Sequence, residues 1–164
     1  MFRPMRRHTQ QLTHQEAVAM LEQAKSGVLA LSGDDDYPYA LPISHVYADG
    51  KLYFHCAKTG HKIDAILRNE KASFCVIDQD KIVPERYTTY FRSAIAFGRI
   101  RILEDFSEAY AALQHLAKKY HPADSAEGRH KAIDNEKNAV CVLEMTIEHL
   151  TGKEAIELVK AKQK

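Results

Sequence analysis

The chain has 164 residues, 45% of them hydrophobic and 27% charged, and its formal net charge is +1. These totals fit one domain with a buried core and exclude nucleic-acid binding driven by bulk positive charge. No apolar run is long enough to cross a bilayer, and the basic start (Met1 to His8) lacks the apolar stretch of a signal peptide; a cytoplasmic protein with no membrane or nucleic-acid partner is expected.

Three cysteines, Cys56, Cys75 and Cys141, are odd in number and far apart in apolar runs, the pattern of buried free thiols. Near the start, Thr13 and Glu16 have capping-box spacing. Val18, Leu21 and Ala24 then mark one face of a helix, placed at about 13–25 and ending at Ser26-Gly27. Gly27 to Ser32 is a short apolar strand, and Gly33 to Asp36 is a turn whose aspartates suit local backbone hydrogen bonding.

Tyr37 to Ala48 reads as one long strand interrupted by Pro38 and Pro42, so that backbone groups near Pro42 are free for a ligand. Asp49-Gly50 is a hairpin signal, and Lys51 to Ala57 is the return strand. That strand runs into Gly60, which Lys58, His61 and Lys62 flank. Ile63, Ile66 and Leu67 then begin a short helix. A strand that ends in a glycine turn with positive groups just before a helix start is a plausible anion cradle, because the first N–H groups of a helix lack partners and its dipole favours negative charge. It is not a P-loop: one glycine is present and the Gly-Lys-Ser/Thr ending is absent.

Lys71 to Asp78 is a further strand, Gln79 to Thr88 a loop, and Thr89 to Leu103 the longest strand signal, with a bulge at Gly98. Ser107 to Tyr120 is a helix and Ser125 to Asn135 a shorter one. Ala139 to Ile147 is a buried strand that Gly152-Lys153 interrupts. Glu154 to Val159 reads as a short helix or an edge strand, and the lysine-rich end from Val159 as frayed. Six strands in hairpin-like links favour a mainly β, α+β domain: an antiparallel sheet closed into a small barrel with flanking helices.

Several stretches carry a resemblance. They are Met5-Arg6-Arg7, Gly27 to Leu31, Tyr37 to Ser44, Leu52 to Ala57, Gly60-His61-Lys62, Tyr90 to Gly98 and Leu150 to Lys153. In this order and spacing the chain resembles the pyridoxamine 5′-phosphate oxidase-like family of FMN-binding split barrels. It is most similar to the branch that contains the 5-nitroimidazole resistance (Nim-type) flavoproteins. The resemblance implies one six-stranded split-barrel domain over residues 1–164, with a C-terminal tail at about 154–164. It also implies a homodimer with FMN at the subunit interface.

The resemblance further implies that the Gly60 turn meets the FMN phosphate, with His61 and Lys62 where relatives carry an Arg-Lys pair. Histidine in place of arginine would make that contact weaker and pH-dependent. Leu41, Pro42, Ile43 and Ser44 correspond to backbone along the flavin edge. His55, Cys56 and Ala57 correspond to the strand beside the ring or ribityl chain, and Ser93 to a polar flavin contact. The arginine and histidine set that holds substrate phosphate in true pyridoxamine-phosphate oxidases has no match here, which tells against the vitamin-forming activity.

The expected function is therefore an FMN-dependent oxidoreductase that passes electrons from NAD(P)H or another donor to a small acceptor, with nitroimidazoles as candidates. No catalytic acid or base is assigned, because the flavin supplies the chemistry. A non-catalytic store or sensor for FMN or haem is the alternative reading, since the fold alone does not settle function. A zinc site at His55, Cys56 and His61 fails on spacing: adjacent strand residues point to opposite faces, and no second pair follows.

Overall fold

The computed structural model describes residues 1–163. Helix α1 (His14–Gln23) leads into β1 (Ser26–Ser32), β2 (Pro38–Ser44), β3 (Val46–Ala48) and β4 (Lys51–Ala57). Helix α2 (His61–Arg68) precedes the long hairpin of β5 (Lys71–Val83) and β6 (Thr88–Ile102). Helices α3 (Phe106–Tyr120) and α4 (Ala126–Glu136), strand β7 (Val140–Glu154) and helix α5 (Ile156–Lys162) complete the chain. All strands join one antiparallel sheet in the order β2-β1-β5-β6-β7-β4-β3.

The sheet thus has seven strands where the sequence suggests six, and the reason lies at His45. The expected strand from Tyr37 to Ala48 breaks there, and its two halves go to opposite edges of the sheet. The Tyr120 hydroxyl supports the break. It accepts from the His45 N–H at 2.9 Å and lies 2.8 Å from the His45 carbonyl and 2.5 Å from that of Lys25. Backbone groups that leave a ladder need such partners. Tyr120→Phe is expected to lower the unfolding free energy by about 1–2 kcal/mol, measured as a shifted urea midpoint at unchanged slope.

The inner face of the curled sheet encloses the core. Leu29 faces Phe74, Phe74 faces Ala96, Leu52 faces Met145 and Phe54 faces Leu143, and all of them are buried. Helix α1 adds Ala17, Met20 and Leu21, and α2 adds Ile63, Ala65 and Ile66. The capping box forms as the spacing predicts: Thr13 Oγ accepts from the Glu16 N–H, and the Glu16 carboxylate accepts from the Thr13 N–H. The helix stops earlier than expected, at Gln23, because Ser26 already pairs in β1. Asp49 and Gly50 both have positive φ, as a tight hairpin requires.

Three further expectations change. Residues 79–88 are not a loop; β5 and β6 pair as far as Val83 and Thr88, around a turn at Pro84–Arg86. Gly152-Lys153 does not interrupt the last strand. Gly152 stays in β7, where a side chain would press on Leu12, Ala17 and Met20, so the glycine lets α1 sit close. The C-terminus is helical to Lys162, whose ammonium bridges Glu16 at 3.0 Å and buried Glu154 at 2.8 Å. The bulge at Gly98 is present as a register shift between Phe97 and Gly98.

The outer face of β1, β5 and β6 is different in character. Val28, Cys75 and Ile95 lie side by side in register, and Ile77 beside them is 64% exposed. Phe97 is also exposed there, with Phe2 stacked on the neighbouring His149 ring at 4.7 Å. By contrast, the outer face of β4 and β7 is covered by α3, with Leu103, Ala112 and Val142 buried between them.

Candidate functional site

Strand β4 delivers the chain to Lys58-Thr59-Gly60, and Gly60 turns it into α2 with φ 119°. That φ is costly for any residue with a Cβ. Gly60 is the N-cap, and no side chain caps the helix. The first helical bonds are Ile63 N–H and Asp64 N–H to the Gly60 carbonyl, at 2.8 and 3.2 Å. The N–H groups of His61 and Lys62 are therefore left at the helix start without intrahelical acceptors.

A Cβ built on Gly60 meets nothing within 4 Å, so the space in front of the turn is open. Among the described residues, neither Lys58 nor Lys62 forms an ion pair. Open space, unpaired N–H groups and uncompensated ammonium charge are what a phosphate requires. The turn fits the phosphate end of a flavin nucleotide.

The His61 ring takes a different position from its backbone. It stacks on Tyr39 with ring centroids 4.0 Å apart, and its Nε2 lies 3.6 Å from Asp34 Oδ2. Arg68 holds the other oxygen of that carboxylate at 2.6 Å. The Arg68 hydrogen bond, helped by the charge of His61, keeps the Asp34 carboxyl below its usual range. The imidazole is thus tied to the turn between β1 and β2.

The other sequence-derived residues divide into three groups. Leu41 and Ile43 turn inward and pack against the core, whereas Pro42 and Ser44 point outward from the edge strand β2. Cys56 also packs against the core, opposite Cys141; Ala57 is exposed at the end of β4. His55 is on the outer side of β4, and with Ser44 it lines a cleft of about 390 Å³. Leu113, Leu116 and Tyr120 of α3, with Ile133 and Glu136 of α4, form the rest of that cleft.

Ser93 stands apart. It lies half-buried on β6 between Ile77 and Lys153, near the far end of β7. Lys153 is twelve residues along β7 from Cys141, the residue that pairs with Cys56 before the Gly60 turn, so Ser93 and that turn lie at different ends of β7.

The cleft wall supplied by α3 and α4 escaped the sequence reading. The amphipathic pattern of α3 was visible, but its apolar face reads as ordinary core. The Tyr39–His61–Asp34 contact was equally invisible, because it joins residues on separate elements. Among the described residues, no group of three or more His, Cys, Asp or Glu is placed to hold a metal ion, and no helix is long and apolar enough to cross a membrane.

The family model for pyridoxamine 5′-phosphate oxidase matches residues 13–154. The chain belongs to this family. Among solved structures it is similar to a candidate 5-nitroimidazole antibiotic resistance protein from Bacteroides thetaiotaomicron, at 22% identity and a TM-score of 0.72, over 88% of this chain and 86% of that one. It is also similar to an FAD-binding protein from Mesorhizobium loti, at 22% identity and TM-score 0.62, over 88% and 96% of the two chains. A third is the FAD and haem binding protein from Mycobacterium smegmatis, at 18% and 0.69, over 93% and 80%. At these identities the likeness carries the fold alone. No curated protein matches the chain. Family membership makes this chain one of a flavin-binding, oxidoreductase-type group.

Proposed function

We propose that this family member is an FMN-dependent oxidoreductase that takes electrons from a reduced nicotinamide and passes them to a small acceptor, with nitroaromatic compounds such as 5-nitroimidazoles as the class to test first. The observation that carries the reading is the open, uncapped helix start at Gly60, flanked by Lys58 and Lys62. One anchor of this size suits the single terminal phosphate of FMN.

Bound FMN would supply the hydride and electron chemistry, and the protein supplies position and environment. The N–H groups of His61 and Lys62, with the Lys62 ammonium, hold the phosphate. The His61 ring, fixed by Tyr39 and Asp34, sets the entry of α2. Ser44 and His55 lie on the wall of the neighbouring cleft, whose apolar α3 and α4 residues exclude water from a flat ring system.

The site is shared between two copies of the chain in this reading. The exposed row of Val28, Cys75, Ile95 and Ile77 has the apolar character of an interface. Ser93 lies at the edge of that row, and in a dimer formed through it Ser93 would reach a flavin anchored at the other protomer's Gly60.

The test is an anaerobic absorption spectrum of the FMN-loaded protein during addition of NADH, then NADPH. Bleaching of the flavin bands, followed by reoxidation with a nitroimidazole, is the expected result. Flavin bands that persist with both donors would leave a flavin-binding protein without this activity. A Soret band in place of flavin bands would identify a haem protein instead.

A further inference from the structure

Cys56 and Cys141 lie directly opposite each other in the antiparallel pairing of β4 and β7. Opposite residues in such a pair have Cα atoms about 4.5–5.5 Å apart and side chains on the same face of the sheet. A disulfide spans Cα separations of about 4.4–6.8 Å, so neither strand has to move far to join them. Both thiols are free, and they interact: after burial, the nearby Cys56 is what pushes the Cys141 thiol up, to about 11.

The surroundings suit exchange chemistry. Cys56 is half-buried and Cys141 is the deeper of the two. Both sulfurs face the core side of the sheet, away from the α3 cleft that Val140 and Val142 line, so an oxidant reaches the pair at half-buried Cys56. The charges of Lys62 and Lys58 favour the Cys141 thiolate against its burial. Cys75 cannot take part. It is on the opposite face of the sheet, beside Val28 and Ile95.

We propose that Cys56 and Cys141 are a reversible dithiol–disulfide couple, oxidised by exchange with a low-molecular-weight disulfide such as oxidised glutathione. The Cys56 thiolate attacks one sulfur of the oxidant and releases the first glutathione thiolate. The Cys141 thiolate then attacks Cys56 Sγ in the mixed disulfide and releases the second. The S–S bond of glutathione is reduced, a protein S–S bond forms, and the two protein protons end on the two released thiols. The product joins the end of β4 to the start of β7, just before the chain enters the Gly60 turn. This couple stands on the strand register that puts both side chains on one face, independently of the flavin reading.

The experiment uses the full chain without flavin, treated with oxidised glutathione and then alkylated. Intact mass and a non-reducing peptide map are recorded. A loss of two hydrogen masses, a linked peptide pair containing Cys56 and Cys141, an alkylated Cys75 and full reversal by dithiothreitol are expected. Cys75→Ser should react identically, and Cys141→Ser should keep a stable glutathione adduct on Cys56. A linked peptide containing Cys75 would overturn the proposal. So would a persistent adduct on Cys56 in the unaltered chain. Three free thiols after treatment, with a urea-unfolded sample reacting, would overturn it as well.

Discussion

Lowering the pH from 6.5 to 4.5 is expected to cost the fold about 2–3 kcal/mol, most of it through His45. His45 is fully buried at the break between β2 and β3, under Phe74. Its Nε2 bonds the Leu21 carbonyl at 2.8 Å, so that nitrogen carries the proton, and buried Nδ1 has no partner. Protonation would place a cation in the core with an N–H aimed at nothing, near the Lys119 ammonium. Burial first, and Lys119 second, lower the pKa from 6.5 to about 4.

The sign follows directly. The unfolded chain takes up a proton near pH 6.5, and the folded chain resists until about pH 4. The stabilisation is complete above pH 6.5 and is lost as pH falls towards the folded value. Glu16, lowered from 4.5 to about 2 by the Thr13 backbone and by Lys162, is solvent-screened, so its contribution is smaller despite a similar shift, and it is lost mainly below pH 4.5. The two windows therefore separate. Urea midpoints at a series of pH values should fall steeply between pH 6.5 and 4.5 for the unaltered chain and far less for His45→Gln, in which a neutral amide replaces the imidazole. Parallel curves for the two proteins would remove His45 as the source.

Lys62→Ala should weaken FMN binding about 10- to 100-fold, the scale of one charge-assisted contact of about 1.5–3 kcal/mol. Lys62 starts α2, where a cation opposes the helix dipole unless an anion is bound. The His61→Ala loss should be smaller, because the ring is committed to Tyr39 and Asp34. The resemblance implies instead that the His61 side chain meets the phosphate beside Lys62. Equilibrium titration of both variants tests this: an unchanged affinity for Lys62→Ala removes that residue from the site, and a His61→Ala loss as large as that of Lys62→Ala returns the His61 ring to it.

Local rules foretold the local features. Thr13 and Glu16 cap α1, Asp49-Gly50 turns a hairpin, Gly98 marks a register shift, and Gly60 starts a helix. What failed was non-local. Nothing within Tyr37 to Ala48 shows that the strand divides at His45, because the group that stabilises the break is a hydroxyl 75 residues away on α3. The hairpin beyond Asp78 reads as a loop in sequence because its polar residues lack the alternation of a strand with a buried face. Pairing with β6 holds it instead.

The site divides in the same way. The open helix start at Gly60 was legible because the glycine and the lysines sit together in sequence. Ser93 and the α3–α4 wall were placed by resemblance or missed, because register alone decides what they face. In sequence the facing cysteines are two distant free thiols, and only the β4–β7 pairing brings them together.

The central claim is that the Gly60 turn is a phosphate anchor for a flavin. The measurement that tests it most directly compares the affinities of FMN and riboflavin, which share the ring and ribityl chain and differ by the phosphate. Fluorescence-quenching titrations of the full chain should show FMN binding at least about 100-fold tighter than riboflavin, with most of that difference lost in Lys62→Ala. Equal affinities for the two flavins, or no binding of either, would contradict it.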